Sequence, residues 1–253
     1  MSRFEPVREH EARPEKEAPR PREDRHTYTH RDHFSRLHKD EIRALKTVGA
    51  FRMVNAKDIP AVDLSRLIWS GLMDRKIINQ PGTGERLEVL SLTKKGHDAL
   101  LAQQGNSNPQ RYWAGRVKPN EIKHDLAIYS AFQKEAEEIQ KAGGTIRRVV
   151  LDYEFKSEIN SRMNRAEGPG KSARRKEIAD EYQLPMDGDK VALPDLRIEY
   201  TDAEGREQHR DIEVVTKHYR GSHRSGKAKS GFRLHNAGAS RAAVNDDHHL
   251  SFL

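Results

Sequence analysis

Residues 71–101 read GLMDRKIINQPGTGERLEVLSLTKKGHDALL, and the fold turns on how this stretch is parsed. KIINQ and ERLEVLSL are two runs with strand character on either side of Pro81-Gly82-Thr83-Gly84, a grouping that favours a turn, so together they read as a β-hairpin. Thr93 then caps a closing helix, LTKKGHDALLAQ.

Upstream, apolar residues recur at helical rather than strand spacing. His38 to Gly49 gives an amphipathic helix with Ile42, Leu45 and Val48 on one side, ending at glycine. Asn55 caps a short second helix, Ala56 to Ile59, stopped near Pro60. Ala61 or Asp63 opens a third that runs through Met73. Its inward stripe is Leu64, Leu67, Ile68 and Leu72, which leaves Ser65, Arg66, Trp69 and Ser70 nearer the outside. Three helices, a hairpin and a helix in that order form a winged helix-turn-helix. The wording of 71–101 resembles the end of the recognition helix, the wing and the following helix of bacterial winged-helix regulators. In that arrangement the third helix enters a major groove and the wing lies over the adjacent backbone. Ser65 and Arg66 then face bases, and Lys57, Arg75, Lys76 and Arg86 face phosphates. The block 37–104 holds eleven Lys/Arg and eight acids, so its own affinity for DNA is modest. A protein-interaction module is the other use of such a fold, and an exposed Trp69 suits a homodimer or interdomain contact as well as DNA.

A second block, 121–235, has a different pattern. Glu121 to Lys141 is a helix with Ile122, Leu126, Tyr129, Ala136 and Ile139 near one face, ended by Gly143-Gly144. Thr145 to Phe155 reads as a strand, 156–190 as a polar basic stretch with a short helix at ARRKEIADEYQ, and LPDLRIEY and QHRDIEVVTK as paired strands. With Gly205 left-handed in a three-residue loop Ala203-Glu204-Gly205, the hairpin sets Arg197 opposite Asp211. A shift by one would oppose Arg197 to Arg210, a like-charge pair. The favoured register faces Asp195 with Glu213, their Cβ atoms about 5 Å apart. Two facing carboxylates, one after a proline, on a hairpin behind a helix and strand resemble the PD-(D/E)xK nuclease core. That resemblance implies Mg²⁺ or Mn²⁺ on Asp195 and Glu213, with a lysine activating water. Val215 stands at the usual lysine position and Lys217 one pleat further on, so a degenerate, non-catalytic version of the core is the preferred reading. In it no cofactor is expected.

Charge points to an anionic partner. Of the formal net charge of +7, Lys217 to His235 (KHYRGSHRSGKAKSGFRLH) supplies +6, from Lys217, Arg220, Arg224, Lys227, Lys229 and Arg233. Glycines between these cations let them follow a phosphate backbone; six phosphate contacts would give a salt slope near −5. Residues 1–36 carry nine Lys/Arg, eight acids and four prolines, too little apolar area to fold, and read as a disordered arm. Residues 105–120 read as a linker on which Tyr112-Trp113 docks, and 236–253 as a flexible tail. The absence of cysteine excludes disulfides, thiolate metal sites and a cysteine nucleophile. No apolar run spans a bilayer, so a cytoplasmic protein without membrane contact is expected.

The order of these elements resembles the replication-relaxation family of plasmids and other mobile elements: a winged helix, a linker, a helix opening with His124-Asp125-Leu126-Ala127, a Pro194-Asp195 strand and an aliphatic strand bearing Glu213. The resemblance implies an α+β or α/β chain that binds double-stranded DNA as an accessory to replication, mobilisation or its regulation. The rival is a metal-dependent endonuclease using Asp195, Glu213 and Lys217. His124, next to Asp125 at a helix start, reads as a structural hydrogen-bonding residue.

Overall fold

The computed structural model describes residues 25–30, 33–59, 64–79, 84, 86–103, 110–165, 170–215 and 230–237, and mixes helices with antiparallel and mixed sheets, the α+β class expected. Strand pairing starts inside the segment read as a disordered arm: β1 (Arg25–His30) and β2 (His33–His38) form an antiparallel hairpin. Threonine, tyrosine and phenylalanine favour extended backbone there, and Leu37 at the end of β2 is buried in the core.

Helix α1 (Lys39–Ala50) buries Ile42, Leu45 and Val48, as its spacing requires. After β3 (Val54–Asn55), the expected second helix is a single 3-10 turn, Ala56–Asp58, with the Lys57 N–H donating to Asn55 Oδ1 at 3.1 Å. Helix α2 (Leu64–Trp69) ends before the expected Met73, and its expected start at Ala61 or Asp63 lies outside the described residues. Gly71, at φ +71°, takes the left-handed conformation that ends helices, and Leu72 N–H closes onto Leu67 O at 3.0 Å. Met73, expected in the helix, instead opens β4 (Met73–Asn79), which pairs with β5 (Arg86–Leu92) in a sheet of order β3-β5-β4. In α3 (Lys94–Gln103), Thr93 Oγ1 accepts the Gly96 N–H at 3.0 Å, the expected cap.

Helix α4 (Ile122–Lys141) leads to β6 (Thr145–Leu151). The residues DYEF, expected to extend that strand, open α5 (Asp152–Arg165). Glu154 turns back to accept the Leu151 N–H at 3.2 Å and an Arg148 N–H at 2.9 Å, which satisfies the strand-to-helix switch. Then come α6 (Lys171–Glu181), the short strands β7 (Met186–Asp187) and β8 (Lys190–Val191), β9 (Leu196–Thr201), β10 (Glu207–Val215) and β11 (Arg233–Asn236). The sheet order is β11-β10-β9-β6, antiparallel except that β11 runs parallel to β10. The β9–β10 register is the one charge pairing selects: Arg197 faces Asp211, with Gly205 left-handed in the loop. Phe232 and Leu234, at the end of the basic segment, lie before and within β11, with Phe232 buried.

Ile198, Ile212 and Val214 pack with Ile128, Tyr129 and Phe132 of α4 on one face of this sheet. On the other, Val150, Phe155 and Leu184 make a separate cluster with α5 and the segment after α6. The main core continues without a break from α1 to the β9–β10 strands. Phe51 supplies the junction, its ring 4.9 Å from Tyr129 and 4.6 Å from Phe132. The end of the segment read as a linker is built into the same junction. Tyr112 is buried, Trp113 N–H donates to Gly49 O at 2.7 Å, and the Gln110 amide exchanges two hydrogen bonds with Val149 of β6. Among the described residues no helix is long and apolar enough to cross a membrane.

Candidate functional site

The residues expected to meet DNA separate into two groups. Lys57, at the turn before α2, and Arg86, at the start of β5, are exposed and line one groove of about 420 Å³ with Asn55, Leu64, Leu87 and Glu88. Neither holds an ion pair with a carboxylate among the described residues. Ser65 is exposed on α2. Arg66 does not face outward to read bases. Its Nη1 donates to both oxygens of Glu41 at 2.8 and 2.9 Å, and Glu41 is fully buried, with its other bond accepted from the His38 N–H. A buried carboxylate needs a cation, so Arg66 fixes α2 against α1. Arg75 and Lys76 are exposed on β4, each in a surface ion pair, with Glu88 at 3.1 Å and Asp74 at 3.4 Å. Such pairs are weak and screened, so both cations stay exchangeable for phosphate. Lys76 also borders a second groove, of about 610 Å³, with Lys94 and Arg116; these two were not anticipated, because only the fold carries residue 116 to the hairpin.

Arg233 is exposed but ion-paired to Glu135 and Glu138 of α4. Lys217, Arg220, Arg224, Lys227 and Lys229 lie outside the described residues.

The carboxylates of the second block are not gathered as a nuclease centre would need. Asp195 precedes β9, and its side chain turns toward α4. One oxygen lies 3.2 Å from His124 Nε2, and the other accepts the Val214 N–H at 2.8 Å. Glu213 alternates along β10 with Ile212 and Val214, which face α4, and is buried. Its side chain therefore leaves on the opposite face of the sheet from His124. The expected facing of Asp195 and Glu213 fails for that reason: continuing the ladder one step past Leu196 ignores the bend at Asp195. Among the described residues no three His, Asp or Glu side chains form a set that could hold a metal.

What does surround Asp195 is a proton-holding cluster. The bond to Asp195 raises the His124 pKa above its ordinary value, against burial, with Asp125 and Asp152 adding to the pull. Asp125 is pushed up to about 6 by burial, only partly opposed by Arg52. Arg52, itself left-handed at φ +60°, reaches from the end of α1 to Glu121 at 2.8 Å and lies over the Trp113 ring. Arg52, Glu41 and Glu135 carry no sequence motif that would have marked them, although the reading of His124 as a hydrogen-bonding residue agrees with the geometry. Compared with protein-family models, curated proteins and solved structures, the chain matches none.

Proposed function

We propose that this is a DNA-binding protein of a plasmid or other mobile element, similar to the replication-relaxation proteins and accessory to replication, mobilisation or its regulation. The reading takes α1, α2, the β4–β5 hairpin and α3 as a winged helix-turn-helix, and the second block as a non-catalytic relative of the nuclease core. The observation that carries it is the groove at the start of α2, where Lys57 and Arg86 converge, and where the lining carboxylate among the described residues, Glu88, is paired with Arg75 instead. Two cations from separate elements on one concave surface suit successive phosphates of a backbone, and Lys76, Lys94 and Arg116 extend the basic surface on the far side of the hairpin. The cations of 217–233 add long-range attraction.

The test is a titration of labelled plasmid-derived duplex at several salt concentrations. Log affinity should fall linearly with log salt, and the double variant Lys57→Ala/Arg86→Ala should reduce the slope by about two. An affinity that ignores salt, or a slope the double variant leaves unchanged, would overturn this assignment of the surface.

A further inference from the structure

The outer face of α2 is poorly equipped to read a closed duplex. Base edges in a major groove are distinguished by side chains that donate or accept in pairs, above all Arg, Asn and Gln. The one such residue on this helix, Arg66, is fastened to Glu41, and Leu67 is buried. Ser65 and Trp69, one helical turn apart and therefore on one face, are what remains outward. Trp69 is 91% exposed, more than any other large apolar side chain described. An indole lying free on a helix offers a broad π-face, which a base can meet only when it is out of the duplex stack.

The charges around it suit a strand running along the helix. At the first end Lys57 and Arg86 share a groove with Leu64, and the Glu88 that also lines it is paired with Arg75. At the other end Lys95 Nζ donates to the Ser70 carbonyl at 2.9 Å, which holds an ammonium next to Trp69 in sequence and leaves its other hydrogens for a phosphate. From residue 64 to 70 the rise is about 9 Å. Cations thus stand near both ends of the short helix that presents Ser65 and Trp69 outward, and α2 itself carries no acidic residue.

Resting on the reading of this face as a DNA-binding surface, we propose that α2 binds single-stranded DNA, with Trp69 stacking on an unpaired base and the flanking Lys57, Arg86 and Lys95 holding its backbone. An accessory to replication or mobilisation meets such strands wherever a duplex is opened.

The full-length protein is titrated with labelled oligothymidylate and with a duplex of equal length, read by anisotropy and by tryptophan fluorescence. Oligothymidylate should quench the fluorescence, and Trp69→Phe should remove that quenching while keeping most of the affinity. Trp69→Ala should weaken oligothymidylate by roughly 5- to 150-fold and the duplex by less than about twofold. Because Trp69 is exposed, the variant is expected to fold, which circular dichroism checks. Salt-dependent duplex binding with no quenching by oligothymidylate, and no dependence on Trp69, overturns the single-strand proposal and leaves the DNA-binding reading standing. Failure to bind either form overturns both. If Trp69→Ala instead converts a dimer to a monomer in sedimentation without altering DNA binding, the indole serves a second copy of this chain and the proposal falls.

Discussion

Asp125 and Glu135 sit ten residues apart on the same helix, both acidic and both 3% exposed, yet their protons behave in opposite ways. Burial alone would raise both. At Glu135 it is overcome by hydrogen bonds from His235, Arg210 and Arg233, which hold the carboxyl down to about 2. At Asp125 the paired cation is Arg52, whose Nε lies 3.6 Å from Oδ2, and neither atom has a hydrogen bond among the described residues; the carboxyl rises to about 6. Depth in the core is therefore not what decides a charge in this protein. The number of donors that tertiary structure aims at it does. Glu135 joins α4 to β10 and β11, so it also fixes the far end of the basic segment expected to meet DNA. Asp125 belongs instead to the His124–Asp195 end of the helix.

The largest way to break the contrast is to empty the better-served site. Glu135→Ala leaves the half-buried Arg210 without its main partner and should cost about 3–5 kcal/mol in urea unfolding. A loss under about 1 kcal/mol would mean that the three donors are surface ion pairs of little weight.

Acid titration sharpens the same point. Glu135 has a folded value below its ordinary 4.5, so its contribution is present above pH 4.5 and is lost as pH falls toward 2. The difference in unfolding free energy between the protein and Glu135→Gln should shrink by about 3 kcal/mol over that window. Asp125 has the reverse sign. Its folded value lies above 3.8, so its contribution is present below pH 3.8 and is lost as pH rises through about 6. Relative to wild type, Asp125→Asn should gain on the order of 2–3 kcal/mol between pH 3.5 and 7. If both variants shift stability in the same direction with pH, the donor count is not the governing variable.

Much of the backbone was legible from the sequence because it depends on neighbours in the chain. The inward faces of α1 and α4, the Thr93 cap and the β9–β10 register all follow from spacing, or from the choice between opposite and like charges across a hairpin. Where local signals competed, the sequence misled: Gly71 cut short a helix whose apolar stripe ran on to Leu72, and strand-like Tyr153 and Phe155 were drawn into α5. The site was less legible. Lys57, Ser65 and Arg86 could be placed outside from their elements alone. Arg66 looked free to face outward, because its partner Glu41 is 25 residues away and the pair forms only with the packing of α1 on α2. Asp195 turned from Glu213 to His124 for a similar reason, since a bend at the end of a ladder leaves no mark in alternation.

The smallest expected effect concerns that last pair, and it bears on the unused nuclease reading. His124 is about one-third exposed and its pKa is raised chiefly by the bond to Asp195. Its stabilising contribution is therefore present below about pH 6.5 and fades as pH rises through the folded value. Partial exposure screens the interaction, so the clear readout is the titration of the imidazole by long-range nitrogen–proton NMR. The midpoint should lie above 6.5 in the protein and fall in Asp195→Asn, while Glu213→Gln, on the opposite face of the sheet, should leave it in place. A midpoint that moves with Glu213 rather than Asp195 would bring the two carboxylates back to one side and restore the facing pair that a metal needs. A midpoint that follows Asp195 alone ties that carboxylate to α4 as a proton partner, by the same rule that separates Asp125 from Glu135: the donor set around a buried acid decides what it does.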